Sequence, residues 1–145
     1  MNELLQYAFR IRAAMNKMQR DISIEMQKQH GVDLTRPQCY LLSLISTEEP
    51  CKITSLAKKL GVRPSTISTM INRLVDDGYV SREYGHNDRR NVLVSITARG
   101  SEVLKRDVEN YGKVLQQFIG ALEADELETF TRTFEKISSI HELRS

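Results

Sequence analysis

The chain has 145 residues, of which 40% are hydrophobic, and this is enough for one domain or for one domain with a helical extension. Its net charge of +2 conceals a basic centre: residues 52–90 contain eight Lys and Arg against four Asp and Glu, and the remainder contains 13 basic and 15 acidic residues. No apolar run approaches the ~20 residues that span a membrane, and the beginning of the chain lacks the apolar core of a secretory signal. Two cysteines are too few for a disulfide framework and suit a reducing cytoplasm. Together with the absence of an apolar run, this leads us to expect a cytoplasmic protein without a membrane partner.

Residues 2–29 are predicted to form a long amphipathic helix. The segment contains no Gly or Pro, and its apolar residues recur at spacings of four and three across three heptads. A helix of about 26 residues is about 39 Å long, too long to bury its stripe within a small domain. It needs other long helices, from this chain or from another. The stripe consists of Leu4, Ala8, Ile11, Met15, Met18, Ile22 and Met26.

The next helix is predicted to begin at Thr35, which is spaced from Gln38 as in a capping box. After it, Lys52–Ile53 is expected to form a very short strand that pairs with a later hairpin. Thr54 is expected to be the N-cap of a short helix at Ser55–Leu60.

The segment 53–97 predicts a helix, a turn, a second helix and then two short strands. Gly61 ends the first helix, and Pro64 suits the first position of the second, at about 64–76. Strand patterns at Tyr79–Glu83 and Asn91–Ile96 enclose a polar loop at about 84–91. This order is typical of a winged helix-turn-helix, a module that binds duplex DNA.

The second helix of this segment has two chemically different faces. Ile67, Met70, Ile71, Leu74 and Val75 share one face, which we expect to lie in the core. The opposite face carries short or flexible polar side chains and no carboxylate before residue 76. Such a face can approach a major groove and bond base edges, although an ordinary solvated face has the same composition. Its members are Ser65, Thr66, Ser68, Thr69, Asn72 and Arg73.

Two further helices are predicted after the hairpin. Thr97 is expected to cap the first, whose apolar residues from Leu104 to Leu122 recur at four and three. The last is expected to run from the turn near residues 122–124 to the end of the chain. A monomer would leave these apolar stripes poorly covered, so we expect a two-fold homodimer with interdigitating terminal helices. A bundle within one chain is the alternative.

The fold class predicted from these elements is mainly α (α+β). A winged helix-turn-helix DNA-binding domain is expected at residues 35–97, and long terminal dimerisation helices at residues 1–34 and 98–145. The dimer would present two recognition helices to successive major grooves, ~34 Å apart, on a pseudo-palindromic site in double-stranded DNA.

Four runs of sequence between residues 56 and 100 resemble the MarR family of bacterial transcription regulators. They are LAKKLGV, STIS, INRLVDDGYVSR and NDRRNVLVSITARG. The most specific element is Asp88-Arg89-Arg90, followed by an alternating hydrophobic strand, Thr97 and Gly100. Ile96 stands where the family usually has Leu. The resemblance implies a dimeric DNA-binding repressor or activator that a small anionic or phenolic effector releases from DNA, and of the two we expect a repressor.

Roles for the DNA-binding residues follow. Asn72 or Arg73 is the best candidate for base edges, and Arg63, Lys58 and Lys59 suit phosphate contacts. Arg89 and Arg90 at the hairpin tip can reach a phosphate or the minor groove, although a solvated loop carries such charges too. The resemblance implies that Asp88 holds the wing arginine, with Arg90 as the main arginine and Arg89 as its auxiliary.

The effector would bind between the dimerisation helices and the winged domain, as the resemblance implies. Five residues are candidates to line this site, although each is equally well explained as an ordinary core or surface residue. They are Tyr7, Arg10, Met15, Tyr40 and Tyr111.

Other functional classes have little support in the sequence. There is no nucleophile–base pairing and no phosphate-binding Gly loop, so we expect neither an enzyme nor a cofactor. His30, His86 and His141 lie in different elements, which argues against a metal site. Cys39 and Cys51 are expected to be inert thiols rather than redox sensors. A winged helix for protein–protein contacts would need an acidic or apolar face at residues 65–73, which is absent.

Overall fold

The computed structural model describes residues 2–29, 34–84 and 92–144. The described part of the chain is mostly helical with a small antiparallel sheet. Its elements, in chain order, are α1 (Glu3–Lys28), α2 (Arg36–Thr47), β1 (Cys51–Lys52), α3 (Ile53–Leu60), α4 (Pro64–Asp76), β2 (Val80–Tyr84), β3 (Val92–Ile96), α5 (Ala98–Ile119), α6 (Ala124–Ser138) and α7 (Ile140–Arg144).

Local capping explains where the first two helices begin. The Asn2 side chain accepts a hydrogen bond from the backbone N–H of Leu4 at 2.9 Å, and α1 then runs for 26 residues, as predicted. At α2 the predicted capping box is present: the N–H of Gln38 donates to the hydroxyl of Thr35, and the N–H of Thr35 donates to the Gln38 side chain. These contacts satisfy N–H groups that a helix leaves without partners in its first turn.

The chain divides into two compact units. Residues up to 29 together with those from 110 onward form one, called here the terminal unit. Residues 30–109 form the other, called here the winged unit.

In the winged unit, three strands form a sheet in the order β1-β3-β2, with both pairings antiparallel. Val80 pairs with Ile96, and Tyr84 pairs with Val92, so β2 and β3 are adjacent arms of a hairpin. The predicted short strand is present one residue earlier than expected, at Cys51–Lys52, and it pairs with the other edge of β3.

The winged unit contains one hydrophobic core. The apolar face predicted for α4 points into it: Ile67, Ile71 and Leu74 are fully buried, and Met70 and Val75 pack at its margin. Other fully buried side chains come from α2, α3 and β3. They are Leu41, Leu42, Ile45, Leu56 and Val94.

Two details of the helix predictions were wrong. Helix α3 begins at Ile53, so Thr54 lies inside its first turn, and Lys52 occupies the N-cap position without a side-chain cap. Ile53 packs against the core, and this packing outweighs the capping preference of Thr54. The C-terminal helix is interrupted at Ser139, where the hydroxyls of Ser138 and Ser139 donate to backbone carbonyls three residues earlier.

The N-terminus of α5 is fixed to the beginning of the hairpin. Thr97 caps the helix as predicted, since its hydroxyl accepts from the N–H of Gly100 at 3.0 Å. The same hydroxyl donates to the carbonyl of Gly78 at 2.6 Å, and the N–H of Thr97 donates to the carbonyl of Tyr79 at 3.0 Å. A Cβ at Gly100 would lie 2.1 Å from the Tyr79 carbonyl oxygen, so only glycine fits this approach.

The terminal unit consists of α1, the second half of α5, α6 and α7. Its buried hydrophobic residues, among those that the structure describes, are Ile22 and Val114. Many of its large apolar side chains are exposed, including Phe130 and Phe134 of α6, whose ring centroids lie 5.7 Å apart. In the described ranges no helix is long and apolar enough to cross a membrane.

Candidate nucleic-acid interface

The outward face of α4 carries the six polar residues that the sequence assigned to the major groove. Ser65, Thr66, Thr69, Asn72 and Arg73 are exposed, and Ser68 is half-buried. The face exists because α4 places Ile67, Ile71 and Leu74 in the core at helical spacing, so that the residues between them point away. The surface offers hydroxyl, amide and guanidinium groups.

The beginning of α4 provides positive partial charge. Arg63 occupies the N-cap position with no side-chain cap, and Pro64 follows in the first turn. Pro64 has no N–H, and the N–H of Thr66 already donates to the Arg63 carbonyl at 3.0 Å, so it is chiefly the helix dipole that favours an anion there. Arg63 is exposed at the same end, so its guanidinium adds a full charge to a site that suits a phosphate.

The hydroxyl of Thr69 is already engaged within the helix. It donates to the backbone carbonyl of Ser65 at 3.0 Å, one turn earlier. The Thr69 oxygen is therefore left chiefly as an acceptor on the outward face.

A contact between α4 and β2 brings in a residue that the sequence analysis missed. The Arg82 guanidinium donates from Nη1 to the amide oxygen of Asn72 at 2.5 Å, and both side chains are exposed. The signal that could have found Arg82 is strand alternation. Because residues 80 and 82 share one face of β2 and Val80 is buried in the core, Arg82 must lie on the helix-facing side.

The predicted wing residues Asp88, Arg89 and Arg90 lie outside the described residues, as does the rest of the loop 85–91. The structure describes the ends of the strands that carry this loop, at Tyr84 and Val92. The roles of the three wing residues stay predictions.

The two lysines predicted to contact phosphates differ in their surroundings. Lys59 forms an ion pair with Glu48, so its ammonium group already has a carboxylate partner. Lys58 is exposed on the same helix.

The predicted effector residues fall in both units. Tyr7, Arg10 and Met15 lie on α1 and are exposed, with the Arg10 guanidinium 5.6 Å from the centre of the Tyr7 ring. Tyr111 lies on the terminal-unit part of α5, whereas Tyr40 is exposed on α2 of the winged unit. An open depression on α1 contains none of these five. Its lining residues are Asn16, Gln19, Arg20, Ser23 and Ile24.

Both cysteines are buried, and their surroundings favour the neutral thiol. Burial, reinforced by the negative charge of Asp107, raises the pKa of Cys39 to about 12. Burial and the nearby Glu49 also raise the pKa of Cys51. Because the thiolate is the reactive form, these environments support the prediction that both thiols are inert.

Asp107 itself is a buried carboxylate on α5. Arg36, at the first position of α2, forms an ion pair with it through both terminal nitrogens. The pair joins α2 to α5 within the winged unit. Among the described residues no group of three His, Cys, Asp or Glu side chains is placed to hold a metal ion.

The architecture defines the class of protein: it is a winged helix-turn-helix protein with long helices before and after the winged unit. Residues 34–92 match the model of the MarR family. The transcriptional regulator HosA of Escherichia coli is 30% identical over 105 residues, which cover 72% of this chain and 78% of that protein.

Solved structures agree. MarR from E. coli without ligand superposes with a TM-score of 0.73 at 27% identity, covering 90% of this chain and 95% of that one. A mutant of the same protein complexed with operator DNA gives a TM-score of 0.70 at 27% identity, covering 94% and 96%. The chain belongs to the MarR family. It is a DNA-binding transcription regulator of the MarR type and not an enzyme.

Proposed function

We propose that the protein acts in the cytoplasm as a homodimeric repressor, with α4 of each protomer in the major groove of a pseudo-palindromic operator. The observation that carries this proposal is the outward face of α4, which is polar and free of carboxylates before residue 76. The opposite face of the helix is packed in the hydrophobic core. DNA binding is assigned to residues 35–97, and dimerisation to residues 1–34 and 98–145.

Within the interface, contacts divide into those that position the protein and those that read sequence. Arg63, at the beginning of α4, is assigned to a phosphate, and Arg73 and Asn72 to base edges. The remaining polar residues of the face are Ser65, Thr66, Ser68 and Thr69, which can bond either bases or backbone. Asp88, Arg89 and Arg90 are assigned to a wing that contacts the minor groove or the backbone, on the sequence pattern alone.

The exposed apolar side chains of the terminal unit support the dimer. Phe130, Phe134 and Ile137 lie at helical spacing on α6 and are exposed in the single chain. On a soluble protein, an exposed apolar patch of this kind marks an interaction surface. A two-fold axis would let the same surface cover its own copy and would set the spacing of the two α4 helices.

An effector is the remaining part of the proposal. The resemblance to the family suggests a small anionic or phenolic molecule that weakens DNA binding. Arg10 and Tyr7, which contact each other on α1, offer a cation and an aromatic ring that suit such a molecule. Met15, Tyr40 and Tyr111 complete the predicted set.

Fluorescence anisotropy across a salt series tests the DNA-binding proposal. We expect the protein to bind one duplex from the region around its own coding sequence, two chains per site, far more tightly than random duplex. Arg73→Ala should weaken binding, and Lys113→Ala, which removes one exposed charge from the terminal unit, should not. Arg90→Ala should weaken binding to every duplex and lower the salt slope by about 0.9.

Equally weak binding to all duplexes would overturn sequence-specific recognition. For the repressor assignment, a reporter carrying the selected duplex in its promoter should be expressed more strongly without the protein than with it. Lower expression without the protein would make it an activator.

A further inference from the structure

We infer that Arg82 is a specificity-determining residue that binds the Asn72 amide oxygen, turns the amide NH2 outward and thereby selects guanine at one position of each operator half-site. The inference rests on the proposed function, because it concerns which base the α4 face reads. It starts from the hydrogen bond between Arg82 on β2 and the Asn72 amide oxygen on α4.

The chemistry of the pair fixes the orientation of the amide. A guanidinium has five N–H donors and no acceptor, so the group of Asn72 that faces Arg82 must be its oxygen. The amide NH2 is then turned away from Arg82. Asn72 therefore offers two N–H donors on its free side, while its oxygen already accepts a charge-assisted hydrogen bond.

The backbone on both sides of this contact is held by the core. Asn72 lies between Ile71 and Leu74, which are fully buried. Arg82 pairs in the sheet with Val94, which is also fully buried. Because neither backbone can move without disturbing the core, the two side chains stay within reach of each other in the free protein, and the amide is oriented before DNA arrives.

The orientation changes which base Asn72 prefers. A free asparagine pairs with adenine through two bonds, accepting from N6 and donating to N7. Arg82 occupies one of the two lone pairs of the oxygen and places a cation with N–H donors beside it, which disfavours the approach of the adenine N6 donor, whereas donation by the Asn72 NH2 is unaffected. Guanine presents two adjacent acceptors, O6 and N7, and no donor on its own major-groove edge. The Asn72 NH2 and the remaining N–H groups of Arg82 together match that edge.

The contact with Arg82 therefore assigns guanine to Asn72, where an asparagine without this contact would favour adenine. A matched pair discriminates against a wrong base by about 1–3 kcal/mol, which is roughly five- to 150-fold. We expect a preference for guanine of that order at one base pair in each half-site.

Selection of binding sites from random duplexes, followed by affinity measurement on single-base variants of the best site, tests the inference. Arg82→Met keeps much of the side-chain length and removes all donors, so the freed Asn72 should shift the preference at that position from guanine to adenine. Arg82→Lys keeps a charged donor and should retain guanine. Arg12→Met, an equal loss of charge on an exposed position of α1, should change no base preference.

A second substitution acts from the other side of the contact. Asn72→Asp keeps the bond with Arg82 but replaces the outward NH2 by an oxygen. Guanine should then be lost in favour of cytosine or adenine, which present a donor. Each variant is first compared with wild type by thermal unfolding, since only folded variants bear on specificity.

The outcomes separate the inference from the proposed function. If the wild-type protein selects no sequence at all, the proposed function fails. If the wild-type protein selects a site and Arg82→Met selects the same base at every position, the inference is wrong and the function stands. A site without guanine at any position that Asn72→Asp affects would also overturn the inference.

Discussion

The two units of the molecule use their apolar residues in opposite ways. The winged unit buries its large apolar side chains in one core, with contributions from α2, α3, α4 and β3. In the described part of the terminal unit, Ile22 and Val114 are buried, whereas Leu4 is 73% exposed and Phe134 is 55% exposed. The winged unit therefore has a filled core of its own, and the proposed dimer would supply the apolar surface that the terminal unit lacks.

This contrast explains why one chain holds two kinds of sequence pattern. Helix α4 has a narrow apolar face because only one side of it packs against the core, and the residues on its other side are polar. The terminal helices have long heptad-like stripes, which other long helices would cover in the proposed dimer. The well-packed core of the winged unit holds the backbone of α4 in a fixed position. Apolar stripes that become covered only on association make stability depend on protein concentration.

The largest effect expected is on dimerisation. Phe134→Glu removes an apolar contact of ~1.5–3 kcal/mol from each protomer, so by symmetry the dimer dissociation constant should rise at least about 100-fold. Sedimentation analysis at several concentrations measures the change. Arg132→Glu reverses a charge on the opposite face of the same helix and should leave the dimer intact. An unchanged dimer for Phe134→Glu would mean that α6 is not an interface.

Within the winged unit, the largest effect should come from the core. Leu74→Ala removes a fully buried side chain and should lower the free energy of unfolding by about 2–5 kcal/mol. Val62→Ala, at an exposed position of the same unit, should cost well under half of that. Urea unfolding at two protein concentrations checks the comparison, since the loss at Leu74 should be the same at both. A loss that grows on dilution would indicate that Leu74 also supports the dimer.

Two glycines in α5 should respond in opposite directions. At Gly100, alanine gains ~1 kcal/mol of helix propensity, but its Cβ would meet the Tyr79 carbonyl oxygen at 2.1 Å. Because backbone must move, we expect a net loss of about 1–3 kcal/mol. At Gly112 nothing lies within 4 Å in the single chain, so alanine should stabilise by about 1 kcal/mol. Thermal unfolding compares the two. Destabilisation by Gly112→Ala would instead place a partner helix against that glycine.

The smallest effect concerns pH. The pKa of Cys39 rises from 9.0 to about 12 on folding, so between these values the unfolded chain loses the thiol proton and the folded chain keeps it. Stability should therefore be unaffected by this group below about pH 9 and fall as the pH rises from 9 towards 12. Urea unfolding of wild type and Cys39→Ala at pH 8 and pH 10.5 isolates the contribution. The variant should lose less stability between the two pH values, and equal losses would refute the assignment.

The sequence was sufficient for features that depend on neighbouring residues. The bounds of α1 and α4, the capping box at Thr35 and the cap at Thr97 all follow from local periodicity and hydrogen-bonding groups, and the structure confirms them. The family resemblance is confirmed as well. The start of α3 was wrong because the packing of Ile53 decided it.

Contacts between distant elements could not be predicted in this way. Strand alternation places Arg82 on the helix-facing side of β2, but Arg82 is ten residues from Asn72 and on another element, so no local pattern connects the two side chains. Gly100 fitted a family pattern, but its physical reason, the Tyr79 carbonyl, appears only when α5 meets the hairpin. The individual DNA and effector contacts stay predictions, because they depend on partners outside the chain.

The burial of both native thiols has a practical consequence for spectroscopy. Cys39 and Cys51 are buried and their pKa values are raised, so a thiol-directed probe at neutral pH would react selectively with a cysteine introduced on the surface. Ser65→Cys would place a single spin label at the beginning of each α4 without removing either native cysteine. In the proposed dimer, the separation of the two α4 helices, and its change on adding a candidate effector, then becomes a directly measurable distance in solution.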